Sequence, residues 1–249
     1  MHWDFALILG VLAFVVPVMG RRRVRALLKL PDTTKLDRLS IYASTIAFQW
    51  LATALVFWRT IHHGTVPAQL GVTLGKGYLT ITICVVLCAM VLLNQIGSVR
   101  RIKSDPRALR SETVQKALKV FPRDGIERLA FLALVITVAI CEEFIYRGFA
   151  QYVFQCWSHL LLVGIFGSAL LFSFAHLSQG RRGLVSTFAV GLLFSGLRAW
   201  SDSLAPTIAG HFIADLSIGL LAPRHIQEAF RQLPNLQGKE GTAGITIGR

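Results

Sequence analysis

The stretch LAFLALVITVAICEEFIYR, running from Leu129 to Arg147, decides the fold. Its first twelve residues carry no charge, and the apolar run continues to Phe154. At about 1.5 Å per helical residue this is enough to cross a hydrocarbon core of ~30 Å. Two adjacent carboxylates, Glu142 and Glu143, lie inside it. An ionisable residue within a spanning helix is costly, so it faces a bundle interior or a wet cavity and marks chemistry or transport. Glu143 and Arg147 stand at i and i+4 with the acid nearer the N-terminus, the favourable order for an ion pair. Glu142 is rotated by about 100° and points elsewhere. The spacing predicts one carboxylate neutralised by a structural pair and one left free to face a cavity.

The rest of the chain is built in the same material. Its 249 residues are 53% apolar and 16% charged, with a mean hydropathy of +0.56, values that soluble domains of this length seldom reach. Seven continuous apolar runs are present, near Trp3–Gly20, Leu39–Trp58, Gly77–Ile96, Leu129–Phe154, His159–Leu177, Leu184–Trp200 and Leu204–Ala222. Transmembrane barrels need short alternating segments, so the expected fold class is all-α, a polytopic transmembrane helical bundle of about seven spans. Of the 26 Lys and Arg, 22 fall in alternate connections and the tail, against 2 between residues 59 and 76. The positive-inside rule then puts the N-terminus outside and the C-terminus in the cytoplasm, in a plasma (inner) membrane. The net charge of +13 is explained by topology and attraction to anionic headgroups, and no nucleic-acid partner is expected. Arg21-Arg22-Arg23 follows the first apolar run, which reads as an uncleaved anchor. Cys84, Cys88, Cys141 and Cys156 form no Cys-x-x-Cys pair and read as small packing residues.

Four regions are expected. Residues 1–97 are N-terminal scaffold helices whose polar groups, Gln49, Thr53, Thr80 and Asn94, suit helix–helix contacts. Residues 98–121 form a cytoplasmic linker, in which 107–120 can make a short amphipathic surface helix. Residues 122–222 form the core that carries the chemistry, and 223–249 a cytoplasmic tail.

Within that core, His176 ends one span, while His211 and Asp215 share a face of another at i, i+4. A carboxylate and two imidazoles converging in a bundle can activate water in two ways. Glu142 can act as general base, or Glu142, His176 and His211 can hold a divalent metal such as zinc that lowers the pKa of bound water. Two readings outside hydrolysis stay open: a proton or cation relay through Glu142, His176, His211 and Asp215, as in a coupled transporter, and a non-catalytic membrane scaffold. Arg198, beside Trp200, reads as snorkelling to the interface, and His62, His63 and His159 as interfacial residues.

Glu142-Glu143-x-x-x-Arg147, Phe172-x-x-x-His176 and His211-x-x-x-Asp215 resemble, in order and spacing, the three motifs of the CAAX-processing and bacteriocin-processing (CPBP, Abi, type II CAAX prenyl protease) family. The likeness runs from about Pro122 to Ala222 and includes Pro122 and Glu127 ahead of the first motif. It departs from the family in Asp215, where Asn is frequent. The resemblance implies an intramembrane endopeptidase acting on a membrane-associated peptide or protein by a glutamate or metallo mechanism. Glu142 would be the base, His176 and His211 would position the nucleophile or stabilise the oxyanion, and Asp215 would assist.

Depth is the difficulty in this reading. Counted from a turn near Trp157, Glu142 and His176 lie ~22 and ~28 Å from the outer surface. His211 lies only ~10 Å from the start of its own span. The three can meet only if the sixth span is short, tilted or broken near Gly191 or Gly196.

Overall fold

The computed structural model describes residues 2–30, 32–104 and 118–219. Among them the chain forms seven apolar helices and no strand. We number them α1 (Trp3–Lys29), α2 (Lys35–His62), α3 (Tyr78–Ser104), α4 (Gly125–Ser158), α5 (Leu161–Ala175), α6 (Gly180–Ser201) and α7 (205–219). The all-α membrane bundle read from the sequence is the fold observed. By length and composition α1, α2, α3, α4 and α6 can each cross a bilayer, whereas α5 is a shorter apolar helix. The amphipathic segment expected at 107–120 falls mostly outside the described residues, as does the tail.

The helices outrun the apolar runs because lipid does not end a helix; caps and breakers do. α1 continues through its arginines to Lys29 and stops at Leu30, which is extended ahead of Pro31, as the residue before a proline tends to be. α2 opens on a capping box: Thr34 Oγ1 accepts from the Asp37 amide while the Asp37 carboxylate accepts from the Thr34 amide. Asp124 caps α4 by accepting from the Glu127 amide at 2.9 Å. At this end of the bundle Arg38 and Glu127 form a buried pair at 2.6 Å that joins α2 to α4. Arg123 reaches Asp32 at 2.8 Å and holds that carboxyl at about 2. Removing one member of the buried pair would strand a charge in low dielectric, at a cost of about 3–5 kcal/mol.

α4 is the axis of the molecule. Its most apolar 18-residue window is 56% buried, while those of α1, α2, α3 and α6 are 17–28% buried and present side chains such as Phe14, Leu51, Leu93 and Leu193 outward, where a bilayer would solvate them. α2 packs along its first half, and α5, itself paired with α6, along its second. The α5–α6 approach depends on Gly191, where a Cβ would meet the Ala169 Cα at 3.0 Å; small residues let helix backbones come this close. From Phe144 to Ala150 the α4 hydrogen bonds widen into a π-turn, a feature frequent at functional sites.

Two connections expected at the surface of the bundle send residues into it: Leu70, Gly71, Ser203 and Leu204 are buried, while Pro67, Ala68, Gln69 and Asp202 stay exposed. The 3₁₀ turn Pro67–Leu70 places Leu70, fully buried, in one core cluster with Phe144, Phe149 and Leu204. The hairpin between α6 and α7 follows it down: Leu204 N donates to the Gly71 carbonyl at 2.9 Å, and Ser203 Oγ donates to the Thr73 carbonyl at 2.6 Å. Gly148 admits both, since a Cβ there would stand 3.0 Å from the Leu70 carbonyl and 3.5 Å from Leu204. Arg198 does not snorkel. It is buried, and its Nη2 donates to the Gln69 carbonyl, pinning the sunken turn.

These turns remove the depth difficulty. Measured from the level where Leu204 meets Gly148, Glu142 lies six residues away along α4, ~9 Å, and His211 seven residues away along α7, ~10 Å. The sixth span is neither short nor broken: α6 runs continuously through Gly191 and Gly196 to Ser201. The turn after α4 falls at Ser158–Leu160, with His159 in the left-handed region at φ 59°, close to the position expected.

Candidate active site

The two adjacent acids have different surroundings, as their 100° separation requires. Glu143 is wholly buried, and its Oε1 accepts from Arg147 Nη1 at 2.8 Å. The same oxygen lies 2.8 Å from His211 Nδ1. The expected ion pair is therefore present in the structure, and Glu143 also does something the helix spacing could not show: it orients an imidazole from α7. Arg147 is completely buried as well. Its guanidinium carbon stands 3.9 Å from the Phe172 ring centroid and 5.4 Å from that of Phe194, so two aromatic faces from α5 and α6 stabilise the cation where water cannot.

Glu142 faces the other way, toward α2. Gln49 Nε2 donates to its Oε1 at 2.9 Å, and its Oε2 is buried with no protein partner. An amide donor on one oxygen fixes the carboxylate plane and leaves the second oxygen for a proton or a water. Gln49 is thus a helix–helix contact, as read, but its partner is the candidate base. It is the one amide side chain in the apolar run of α2, a signal the three motifs do not contain.

His176 terminates α5, with its Nδ1 2.9 Å from the Phe172 carbonyl. Donation to that carbonyl leaves Nε2 with its lone pair. His211 has a carboxylate facing each nitrogen, Glu143 at Nδ1 and Asp215 Oδ2 at 3.7 Å from Nε2. Phe172 holds the imidazoles in place: its ring centroid is 4.5 Å from that of His176, 6.3 Å from His211 and 5.3 Å from Tyr146. Asp215 is within electrostatic range of Glu142, Glu143, His176 and His211. The structure therefore brings residues of all three motifs, from α4, α5 and α7, to one locus. Phe172, quoted in the sequence only as the start of its motif, packs at the centre of this locus.

The same geometry tests a metal. Among the described residues, the group of three ligand-type side chains whose donor atoms all lie within 4.8 Å is His2, Asp4 and His63, at the far end of the bundle. Glu142, His176 and His211 as placed do not form such a set, because Glu142 turns toward Gln49 while His211 turns toward Glu143. They suit proton transfer to and from a trapped water.

An apolar cavity of about 460 Å³ adjoins the locus, walled by Trp50, Phe57, Ile140, Phe144, Leu204 and Ile208. Trp50 follows the residue that holds Glu142, and Ile208 lies one helical turn before His211.

Among known proteins, residues 125–217 match the family model described as Rce1-like: Type II CAAX prenyl endopeptidase Rce1-like. No curated protein and no solved structure matches the chain. The matched residues span all three motifs and run from the first residue of α4 into α7. Over that stretch, which carries the three motifs, the chain is similar to the type II CAAX prenyl endopeptidase family, and its helices are long and apolar enough to cross a membrane.

Proposed function

We propose that the protein is an intramembrane endopeptidase that hydrolyses a peptide bond of a membrane-associated substrate with water activated by Glu142. The observation that carries this reading is the unequal treatment of two neighbouring acids. Oε2 of each is buried without a hydrogen-bond partner, but Glu143 Oε1 is shared by the Arg147 guanidinium and the His211 imidazole, whereas Glu142 has no cation beside it and only the Gln49 amide on its Oε1. A carboxylate left in that condition inside an apolar helix is costly, and a base awaiting a water has use for it.

In this mechanism a water bound at Glu142 Oε2 gives its proton to the carboxylate as its oxygen attacks the scissile carbonyl. The imidazoles of His176 and His211, held by the Phe172 carbonyl and by Glu143, face the developing oxyanion. Collapse of the tetrahedral intermediate breaks the C–N bond, and the proton on Glu142 passes to the leaving amine. Asp215 acts on His211 from the opposite side of its ring. The apolar cavity walled by Trp50, Phe57 and Ile208 receives a hydrophobic part of the substrate next to the bond to be cut. No step requires a resident metal.

Comparison of the peptides in membranes carrying the wild-type protein with those carrying Glu142→Ala tests the proposal and names the substrate. Fragments with one shared cleavage context should disappear in the variant, and identical peptide populations would count against proteolysis. Activity of the purified protein should survive a chelator; loss restored by zinc would instead establish the metal route.

A further inference from the structure

At the end of the bundle away from the basic connections, the start of α1 meets the end of α2. His2, Asp4 and His63 come together there with donor atoms all within 4.8 Å of one another. The His2 and His63 rings stack with centroids 3.6 Å apart and planes 21° from parallel. Asp4 is 7% exposed, and its two oxygens are treated differently. Oδ2 accepts from Arg59 Nε at 2.8 Å, lies 2.7 Å from Arg59 Nη2, and is 3.0 Å from His63 Nε2. Oδ1 is buried with no partner. Beside the group lies a cavity of about 390 Å³ whose wall includes His2, His63, Cys156 and His159.

From this arrangement we propose a second site, a binding site for one borderline divalent cation of the zinc, nickel or copper class, held by His2, Asp4 and His63. Two imidazoles and one carboxylate suit these ions better than calcium or magnesium, which take oxygen ligands. The supporting contacts are those a monodentate site needs. A ligating carboxylate has its other oxygen hydrogen-bonded, and a ligating histidine gives its other N–H to a carboxylate. Arg59 fixes Asp4 by Oδ2, which leaves Oδ1 to bind. His63 Nε2 meets Asp4 Oδ2 and Arg59 Nη2, both at 3.0 Å; the tautomer that donates to the carboxylate leaves the Nδ1 lone pair for the metal. Arg59 also has a structural use here, since it neutralises Asp4 when no ion is bound. The remaining coordination positions open to the cavity, where water, Cys156 or His159 can fill them. A bound ion would staple the first residues of α1 to the end of α2.

Cobalt(II) titration of the purified full chain in detergent, read by ligand-field absorption and competed with zinc, tests the site without any assay of cleavage. The wild-type protein should bind one equivalent at this site and gain thermal stability with zinc. His63→Ala should weaken binding at least about tenfold. His2→Ala, which removes an exposed side chain outside any helix, should do the same while leaving the fold intact. Glu142→Gln should bind as the wild type does, so a metal seated at the candidate active site would be told apart. No cobalt binding by the wild-type protein, or undiminished binding by His2→Ala and His63→Ala together, would overturn the proposal.

Discussion

At the scale of single residues, the i, i+4 relation of Glu143 and Arg147 was legible because both lie on one helix and α-helical geometry fixes their faces. What the sequence could not show was the far side of each group. His211 on Glu143, Phe172 and Phe194 around Arg147, and Gln49 on Glu142 come from other helices, and nothing in the spacing along α4 encodes them. Each partner has a testable consequence. Arg147→Ala would leave Glu143 in low dielectric beside a lone imidazole, a loss of roughly 3–5 kcal/mol. It should lower folded yield and the melting temperature in detergent, and unchanged values of both would mean that the pair contributes nothing. Gln49→Leu removes the donor from the candidate base but no buried ion pair. A hydrogen bond to a charged group contributes about 1.5–3 kcal/mol, so turnover should fall about tenfold to a hundredfold with little change in melting temperature. Turnover equal to wild type would remove Gln49 from the catalytic account.

Helix positions were legible from hydropathy, because each apolar run overlaps one helix. Their ends were not, since the breakers and caps sit beyond the apolar runs, at Leu30, Thr34 and Asp124. The sunken turns at 67–71 and 202–204 were also invisible, and for a specific reason. Hydropathy assigns a loop to the surface, whereas here buried Leu70 and Leu204, the missing side chain of Gly148 and the hydrogen bond from Arg198 draw two loops inward. That displacement sets His211 level with Glu143. Gly148→Val would force a branched side chain against the Leu70 carbonyl and lift both turns, an overpacking cost of typically 1–3 kcal/mol. Cleavage should fall by more than the loss of folded protein explains, because the register of α7 against α4 shifts. Full specific activity in the folded fraction would show that the turns do not set the site.

For the molecule as a whole, the distribution of lysine and arginine forecasts an orientation in the membrane. Reporter fusions after residues 30, 115 and 235 should report the cytoplasm and a fusion after residue 68 the outside. An external signal at residue 115 would invert the arrangement. In that orientation the His2, Asp4 and His63 group lies on the outer face, and His176, at the junction of α5 with the basic turn before α6, lies toward the cytoplasm, from which a cytoplasmic substrate can enter. In the proposed mechanism one glutamate, left out of its neighbour's ion pair, activates water. The direct test is cleavage of a substrate peptide by purified Glu142→Gln, a change that keeps the shape of the side chain and removes the base. The account predicts a protein that melts as the wild type does and cuts nothing detectable under the same conditions. Robust cleavage by the folded variant would contradict it and return Glu142, His176, His211 and Asp215 to the relay or scaffold readings.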